Sequence, residues 1–308
     1  YSIRLARAYT KRQKIVKFEG GYHGMCAEAQ MSLAPTTLSN FPQAVPDSAG
    51  IPESVKSEVL IAPFNDIDFI ENFLSQEYAD IAAIIVEPLQ RLIPPNKDFL
   101  PTLRKLCDKF GILLIFDEVV TGYRFAYGGA QEHYGITPDI CTLGKIIGGG
   151  FPLAAIAGRK EIMAHFDKSK VGSEGFLMQI GTLSGNPIAS IAGLKTLEIL
   201  RRPGSYEKLR DNGQRIMDFA SKNLTKQGID HKIVGDQTLF DILFTNADIS
   251  NYRDVQKNNM KQYDLFNKVL KSNAIFKPIG KMYVSLALTE EDLAQTEMAI
   301  EKASLALA

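Results

Sequence analysis

An acidic pair in this sequence directly follows a strongly apolar run. Residues 112–116 are all apolar, and Asp117 and Glu118 come next. A carboxylate at the carboxyl end of a buried parallel strand lies where open α/β sheets bind their ligands. Three interpretations compete at this point: a helix cap or structural ion pair, a magnesium-binding acid of an NTPase, and an acid that hydrogen-bonds a heterocyclic cation.

The NTPase interpretation requires a phosphate loop of the form G-x-x-x-x-G-K-[ST]. The pair Gly144-Lys145 is the one candidate for the end of such a loop. Ile146 follows it where serine or threonine is needed, and Asp139 stands where the first glycine is needed. The sequence therefore disfavours an NTPase.

Lys145 interrupts the otherwise apolar stretch 140–147, and Gly148, Gly149 and Gly150 follow it. An isolated lysine is most often a surface residue whose stem covers apolar neighbours. A desolvated lysine instead has a lowered pKa and becomes a nucleophile toward an aldehyde. Asp117 and Lys145 are separated by 28 residues, an interval that fits one βαβ unit, so neighbouring strand ends could direct both at one ligand. We therefore expect Lys145 to be desolvated and reactive.

Short apolar runs alternate with helical patterns over the first two thirds of the chain. Most runs are continuous, which is typical of strands buried on both faces. The clearest helical pattern lies at 101–110. This alternation predicts an α/β fold with a mostly parallel sheet flanked by helices. The predicted strands are Lys14–Phe18, Ile81–Val86, 112–116, Ile140–Leu143 and 153–157.

A long helix is predicted from Asn186, as N-cap, to about Leu200, with Pro187 in its first turn. Its apolar positions are Ile188, Ile191, Leu194 and Leu197. Two arginines, a proline and a glycine at 201–204 end it. Beyond this point we predict helices at 207–218 and 256–271 and strands at 240–244 and 282–286. A large domain at 1–202 and a smaller α+β domain at 203–308 follow from this pattern.

Composition excludes several classes of protein. The 308-residue chain has 35 basic and 35 acidic residues, so its net charge gives no attraction to nucleic acid. It has no run of about 18 apolar residues, which disfavours a membrane span. Cys26, Cys107 and Cys141 form no CxxC pair, so we expect core cysteines of a reduced, cytoplasmic protein and no metal site. The chain opens within a helical pattern without methionine or signal peptide, and we expect further residues upstream.

Motifs along nearly the whole chain resemble the class III aminotransferases, which are fold-type I pyridoxal-5′-phosphate (PLP) enzymes. The resemblance includes both the glutamate-1-semialdehyde aminomutases and the transaminases similar to them. The matching segments occur in the family's order: KFEGGYHG at 17–24, VEP at 86–88, FDEVVTGYR at 116–124, TPDICTLGKIIGGG at 137–150, GTLSGNP at 181–187, YVSLA at 283–287 and TEED at 289–292.

The resemblance implies that Lys145 forms a Schiff base with PLP and then moves a proton between the substrate carbon and the cofactor. It implies that Asp117 keeps the pyridine nitrogen protonated, which makes the ring an electron sink. Val119 would pack against one face of the ring, and Tyr22 would stack on the other.

Three further residues match family positions. Thr182 resembles a threonine that binds the cofactor phosphate across the interface of a homodimer with shared active sites. Glu87 matches a glutamate of the substrate pocket. His23 is a candidate cofactor-binding residue, although a structural role is the simpler interpretation.

The leading functional interpretation is a PLP-dependent aminotransferase. Such an enzyme takes the amino group of a small-molecule amine donor, forms pyridoxamine phosphate and then aminates a carbonyl acceptor. The alternative is a glutamate-1-semialdehyde 2,1-aminomutase, which moves an amine within one substrate. The aminomutases carry a glutamate shortly before the segment that matches 283–287, whereas residues 277–282 contain no acid, and residues 236–238 also differ.

A third alternative is a truncated, non-catalytic remnant that persists as a dimerising module. It is motivated by the family's upstream loop, which binds the cofactor phosphate at a helix N-terminus and which we do not find here. The joint presence of Lys145, Asp117, Val119 and Thr182 argues against this alternative.

Overall fold

The apolar runs form one six-stranded sheet in the computed structural model, which describes residues 1–308. The strand order is β2-β1-β3-β4-β5-β6. All neighbouring strands are parallel except β5 and β6, which are antiparallel. The mostly parallel sheet is therefore confirmed. The strands are β1 (Lys14–Phe18), β2 (Val59–Ala62), β3 (Ile81–Val86), β4 (Leu113–Glu118), β5 (Ile140–Leu143) and β6 (Ala155–Gly158).

Three strands, β1, β3 and β5, have the predicted bounds, and β4 extends two residues further to include both acids. The strand β2 was not predicted. It has only four residues and lies at the edge of the sheet, where it pairs with β1 alone and bridges to the loop at Gln43. A run this short gives no periodic signal, so its place depends on a partner distant in sequence.

Helices cover both faces of the sheet, and all positions of β3 and β4 are buried. One face packs on the first helix through Ile3, Leu5 and Ala6. On the opposite face, Phe18 contacts Phe99 edge-to-face, with ring centroids 5.3 Å apart. The helices of this unit are α1 (Ser2–Thr10), α2 (Glu53–Lys56), α3 (Ile67–Glu77), α4 (Phe99–Phe110), α5 (Gly129–Tyr134), α6 (Lys160–Met163), α7 (Lys168–Gly175) and α8 (Pro187–Leu200), with short 3₁₀ turns at Tyr78–Asp80, Lys145–Gly148 and Ala164–Phe166.

The helix α8 has the predicted bounds, and its N-cap is confirmed. The Asn186 side-chain oxygen accepts the N–H groups of Ile188 at 2.9 Å and Ala189 at 3.2 Å. Three of its large aliphatic residues, Ile188, Ile191 and Leu194, are nevertheless exposed. The buried side of the helix is formed by small residues, including Ala189 and Gly193, which allow the backbone to lie close to its neighbour.

The chain divides into two compact units, Tyr1–Gln90 with Pro95–Ile199, and Arg91–Pro94 with Leu200–Ala308. The second unit contains a three-stranded antiparallel sheet, which together with its helices forms the smaller α+β part. The predicted strand at 282–286 has only two paired residues. The elements are α9 (Ser205–Lys226), β7 (Lys232–Asp236), β8 (Leu239–Leu243), α10 (Tyr252–Val255), α11 (Met260–Ser272), β9 (Met282–Tyr283) and α12 (Glu290–Leu307).

The cysteines follow the sequence prediction at two of three positions. Cys107 and Cys141 are buried, whereas Cys26 is exposed. The expectation of a core residue was wrong for Cys26 because it lies in the irregular segment after β1, outside the packed layers. None of the helices combines the length and apolar character that a membrane crossing requires.

Candidate active site

The carboxyl ends of four adjacent parallel strands gather most of the candidate residues. Asp117 is the penultimate residue of β4, and its register partner on β5 is Thr142. Glu87 follows directly after β3. Tyr22 and His23 lie in the loop after β1, and Lys145 lies just beyond β5. Because β1, β3, β4 and β5 are neighbours, their carboxyl ends form one continuous edge.

Asp117 accepts three hydrogen bonds at this edge. His23 Nδ1 lies 2.9 Å from Oδ2, the Thr142 hydroxyl donates to Oδ1 at 3.0 Å, and the Val119 N–H donates to Oδ1 at 3.2 Å. Burial alone raises the pKa of a carboxyl group, but the His23 contact and the two other donors lower the pKa of Asp117 below its ordinary value. The site therefore holds a buried, ionised carboxylate.

The neighbouring acid Glu118 has a structural role. Its Oε2 accepts the Ala130 N–H at 2.6 Å and the Thr121 hydroxyl at 3.1 Å, and its Oε1 accepts the Gln131 amide at 2.8 Å. These contacts tie the segment after β4 to the first turn of α5. The structural interpretation of the Asp-Glu pair thus holds for Glu118, while Asp117 faces the other candidate residues.

Glu87 orients the loop that carries Tyr22. Its Oε2 accepts the Tyr22 backbone N–H at 2.9 Å, and Glu87 itself is buried, with 8% exposure. The Tyr22 residue itself is 48% exposed. A half-exposed aromatic residue whose backbone is anchored in this way can provide a stacking surface.

His23 is buried and also contacts a candidate residue of the site, Asp117. Its side chain is 1% exposed, and while Nδ1 contacts Asp117, Nε2 is buried without a hydrogen-bond partner. Gln90 was not predicted, yet its Oε1 is also buried and unpartnered. A Cβ on Gly21 would lie 2.9 Å from His23 Nε2 and 3.1 Å from Gln90 Oε1, so both atoms lie beside this glycine. The Gln90 amide donates to the Glu19 carbonyl oxygen at 2.8 Å.

Lys145 begins a 3₁₀ turn, with φ of 49°, a left-handed conformation that is strained for a residue with a side chain. Its side chain is exposed, which corrects the expectation of a desolvated amine. The reason is that β5 ends at Leu143 and the turn projects beyond the sheet. Val119 packs beside this turn, since a Cβ on Gly144 would lie 3.2 Å from Val119 Cγ1.

Thr182 lies outside the loops at the strand ends that carry these residues. It is exposed in the turn that precedes α8, and no side-chain hydrogen bond joins it to Asp117, Glu87 or Lys145. Its predicted contact with the cofactor phosphate of a partner subunit stays a prediction.

The chain is similar to known proteins in family, sequence and fold. A family model described as Aminotransferase class-III matches residues 1–303. The chain is 40% identical over 301 residues to glutamate-1-semialdehyde 2,1-aminomutase 2 of Brevibacillus brevis, covering 96% of this chain and 68% of the relative.

Two solved structures are similar over 99% of this chain. One is an omega-transaminase from Sphaerobacter thermophilus, with a TM-score of 0.92, 32% identity and 71% of its own chain covered. The other is a transaminase with PLP bound, with a TM-score of 0.86, 28% identity and 70% of its chain covered. The match of the family model over nearly the whole chain, on a sheet whose strand ends carry a buried carboxylate and a lysine turn, shows that this protein belongs to the class III aminotransferases, whose cofactor is pyridoxal 5′-phosphate.

Proposed function

We propose that this chain is a PLP-dependent transaminase in which Lys145 and Asp117 are the catalytic residues. The single observation that carries the proposal is the position of both residues at the ends of the neighbouring parallel strands β4 and β5. Asp117 is buried and ionised there, whereas Lys145 is accessible to a ligand. A fixed anion next to an accessible amine suits a cofactor with a protonated ring nitrogen and an aldehyde.

The donor set of the structure fits PLP. Asp117 would pair with the pyridine nitrogen, because an ionised carboxylate in a buried site favours the charged form of a basic partner. Val119 and Tyr22 would contact the two ring faces, and Tyr22 is 48% exposed and therefore accessible to a ligand. Lys145 would hold the cofactor through its amine, and Thr182 of a second subunit would bind the phosphate.

Each residue then has a defined task in the reaction. When bound, PLP supplies an electron sink that stabilises negative charge on the substrate carbon. Lys145 Nζ would take the proton from that carbon and return it at another position, as a general base and then a general acid. Asp117 would keep its partner nitrogen protonated throughout, and the His23 contact at 2.9 Å would hold the carboxylate in place. Glu87 would border the substrate and fix the Tyr22 loop.

The transaminase is favoured over the aminomutase by residues 277–282, which contain no acid. Of the two lysines in this segment, Lys277 is already paired: its Nζ donates to Asp241 Oδ1 at 2.8 Å, and both side chains are buried. The similarity to the omega-transaminase structure supports the same choice. The 40% identity to an aminomutase keeps intramolecular amine transfer as the second candidate.

A homodimer is part of the proposal, because α8 exposes a face that a second copy would cover. Ile188, Ile191 and Leu194 are 61%, 65% and 64% exposed, although they lie on one helix in a row. Leu183, in the turn that carries Thr182, is also exposed, at 58%. Burial of contiguous aliphatic surface is the main driving force of stable association. Seating this face on a partner would bring the Thr182 turn to the interface.

The two candidate activities differ in what a single substrate does to the bound cofactor. Individual amino acids and primary amines should be added to the PLP-loaded protein without any carbonyl acceptor. A transaminase converts PLP to pyridoxamine phosphate in an amount that matches the amount of active sites, and it releases the carbonyl product of the donor. If glutamate 1-semialdehyde is isomerised while no single donor yields the released carbonyl product, the aminomutase is correct.

A further inference from the structure

The buried side of α8 lies unusually close to the turn that carries Lys145. A Cβ placed on Gly193 would overlap the carbonyl oxygen of Ile147, and it would lie 3.5 Å from Leu153 Cδ2. Gly193 is buried in the middle of the helix. Glycine lowers the stability of a helix interior by about 1 kcal/mol relative to alanine, so its position here needs a reason in packing.

A second contact on the same side of α8 involves Gly149, the residue that ends the turn. Gly149 has φ of 55°, and a Cβ there would lie 2.6 Å from both the Ala192 carbonyl oxygen and the Thr196 hydroxyl. The turn thus touches the helix backbone at Ile147 and at Gly149. At Gly193, the absence of a side chain on the helix permits this approach.

The turn needs such support because of its own backbone. Lys145 has φ of 49°, which a residue with a side chain adopts at an energetic cost. Within the turn, the Gly149 N–H donates to the Ile146 carbonyl at 3.0 Å, and the Phe151 N–H donates to the Gly148 carbonyl at 2.9 Å. A strained conformation persists only where its surroundings exclude the relaxed alternatives.

We propose that Gly193 is a positioning residue: its missing side chain lets α8 clamp the turn 145–149 and so hold Lys145 in the conformation that binds the cofactor. The inference rests on the proposed role of Lys145. It also connects the exposed face of α8 with the site, because the helix that bears Ile191 on one side bears Gly193 on the other.

The test is Gly193→Ala in the full chain, measured in two ways. The first is amide hydrogen exchange of the protein without added PLP, comparing the peptide 145–153 with the strand β4. The second is the rate at which PLP and borohydride label Lys145. We expect loss of protection in 145–153 with β4 unchanged, and a labelling rate lower by about 100-fold, since a displacement of about 1 Å can have that effect.

A matched control is available in the second unit. Gly213 lies in the middle of α9, and a Cβ there would overlap the Gln237 carbonyl oxygen, so it makes the same kind of contact elsewhere. Gly213→Ala should destabilise its own unit while leaving exchange in 145–153 and the labelling of Lys145 as in the wild type. A change at Lys145 in both variants would indicate a general loss of stability and overturn the specific role of Gly193.

If Gly193→Ala shows the same exchange and the same labelling rate as the wild type, the proposed clamp is also wrong. If this variant does not fold, native-state exchange of the wild type at low denaturant decides the question. Residues 145–153 and 187–200 should then open as one cooperative unit, and independent opening contradicts the clamp. If the wild type is labelled on another lysine, the proposed function is wrong. The hydrogen-exchange results would still test the contact between α8 and the turn.

Discussion

Asp117 is buried and accepts three hydrogen bonds. Each of these hydrogen bonds favours the ionised form of its carboxyl group. A carboxylate that is 8% exposed would ordinarily take up a proton more readily, but the donors from His23, Thr142 and Val119 reverse that tendency. The donors come from the loop after β1, from β5 and from the segment after β4. The charge at this residue is thus maintained by three separate parts of the first unit.

Asp117→Asn removes the negative charge while keeping the size of the side chain and one of its two acceptor oxygens. Because the neutral amide cannot hold a partner nitrogen protonated, we expect the rate of single-turnover amine transfer to fall by about 1,000-fold. Stopped-flow absorbance of the PLP-loaded protein measures this rate. Asp108→Asn, an exposed aspartate on α4 that pairs with Arg104, is the control and should keep the wild-type rate. Near-normal transfer in Asp117→Asn would show that the carboxylate has another task.

The same residue should leave a mark on stability in acid. The pKa of Asp117 is lower in the folded chain than its ordinary value, so the ionised group stabilises the folded chain above the unfolded pKa. This contribution is lost as the pH falls through the lowered pKa. The difference in urea midpoint between wild type and Asp117→Asn should be constant above about pH 5 and narrow below about pH 4. A difference that grows in acid would contradict the assigned direction.

At the scale of residues, the sequence was informative where local pattern decides the outcome. Asp117 follows an apolar run and Lys145 precedes three glycines, and both lie at strand ends as predicted. The contact of His23 with Asp117 joins residues 94 positions apart, so no local pattern could indicate it. The prediction that the Lys145 side chain is desolvated was wrong. Apolar residues on either side of it in the sequence do not have to surround its amine in the folded chain.

Among the elements, the connection from β4 to α5 depends on a single acid. Glu118 is 1% exposed and accepts hydrogen bonds from Ala130, Gln131 and Thr121. In open α/β sheets the connections after the strands build the ligand site, and they need such anchors to keep one conformation.

Glu118→Gln should therefore destabilise the protein. The new amide group would direct N–H donors at groups that themselves donate, leaving buried polar atoms without partners, at a cost of about 1–3 kcal/mol. Urea unfolding measures this change. The matched control is Glu132→Gln on α5, because the exposed Glu132 accepts the Gly128 N–H at 2.6 Å and should shift stability by less than about 0.5 kcal/mol. Equal effects in the two variants would contradict the structural role of Glu118.

The elements themselves were predicted to different degrees for physical reasons. Long, fully buried strands such as β3 and the capped helix α8 carry their signals within a few residues. The four residues of β2 carry no such signal, and the strand at 282–286 was overestimated because pairing with β8 extends over only two residues. The aliphatic residues of α8 were correctly assigned to a helix, but periodicity alone does not reveal whether an apolar face meets the core or another chain.

At the scale of the whole molecule, the exposed face of α8 makes the dimer testable. Ile191→Lys places a charge in the middle of the proposed interface, and we expect the dimer to weaken by about 10-fold or more. Sedimentation velocity over a range of concentrations measures the association. Leu305→Lys on α12 is the control, because Leu305 is 56% exposed in the second unit and should not affect the dimer. A wild type that sediments as a monomer at all concentrations would refute the interface.

The proposed function requires that PLP is attached to Lys145. The protein should be incubated with PLP, reduced with borohydride, digested and examined by mass spectrometry, with Lys145→Ala treated in parallel. We predict a phosphopyridoxyl group on the peptide that contains Lys145, about one per chain, and none in the variant, whose circular dichroism should match the wild type. Labelling of a different lysine, or undiminished labelling of Lys145→Ala, would contradict the account.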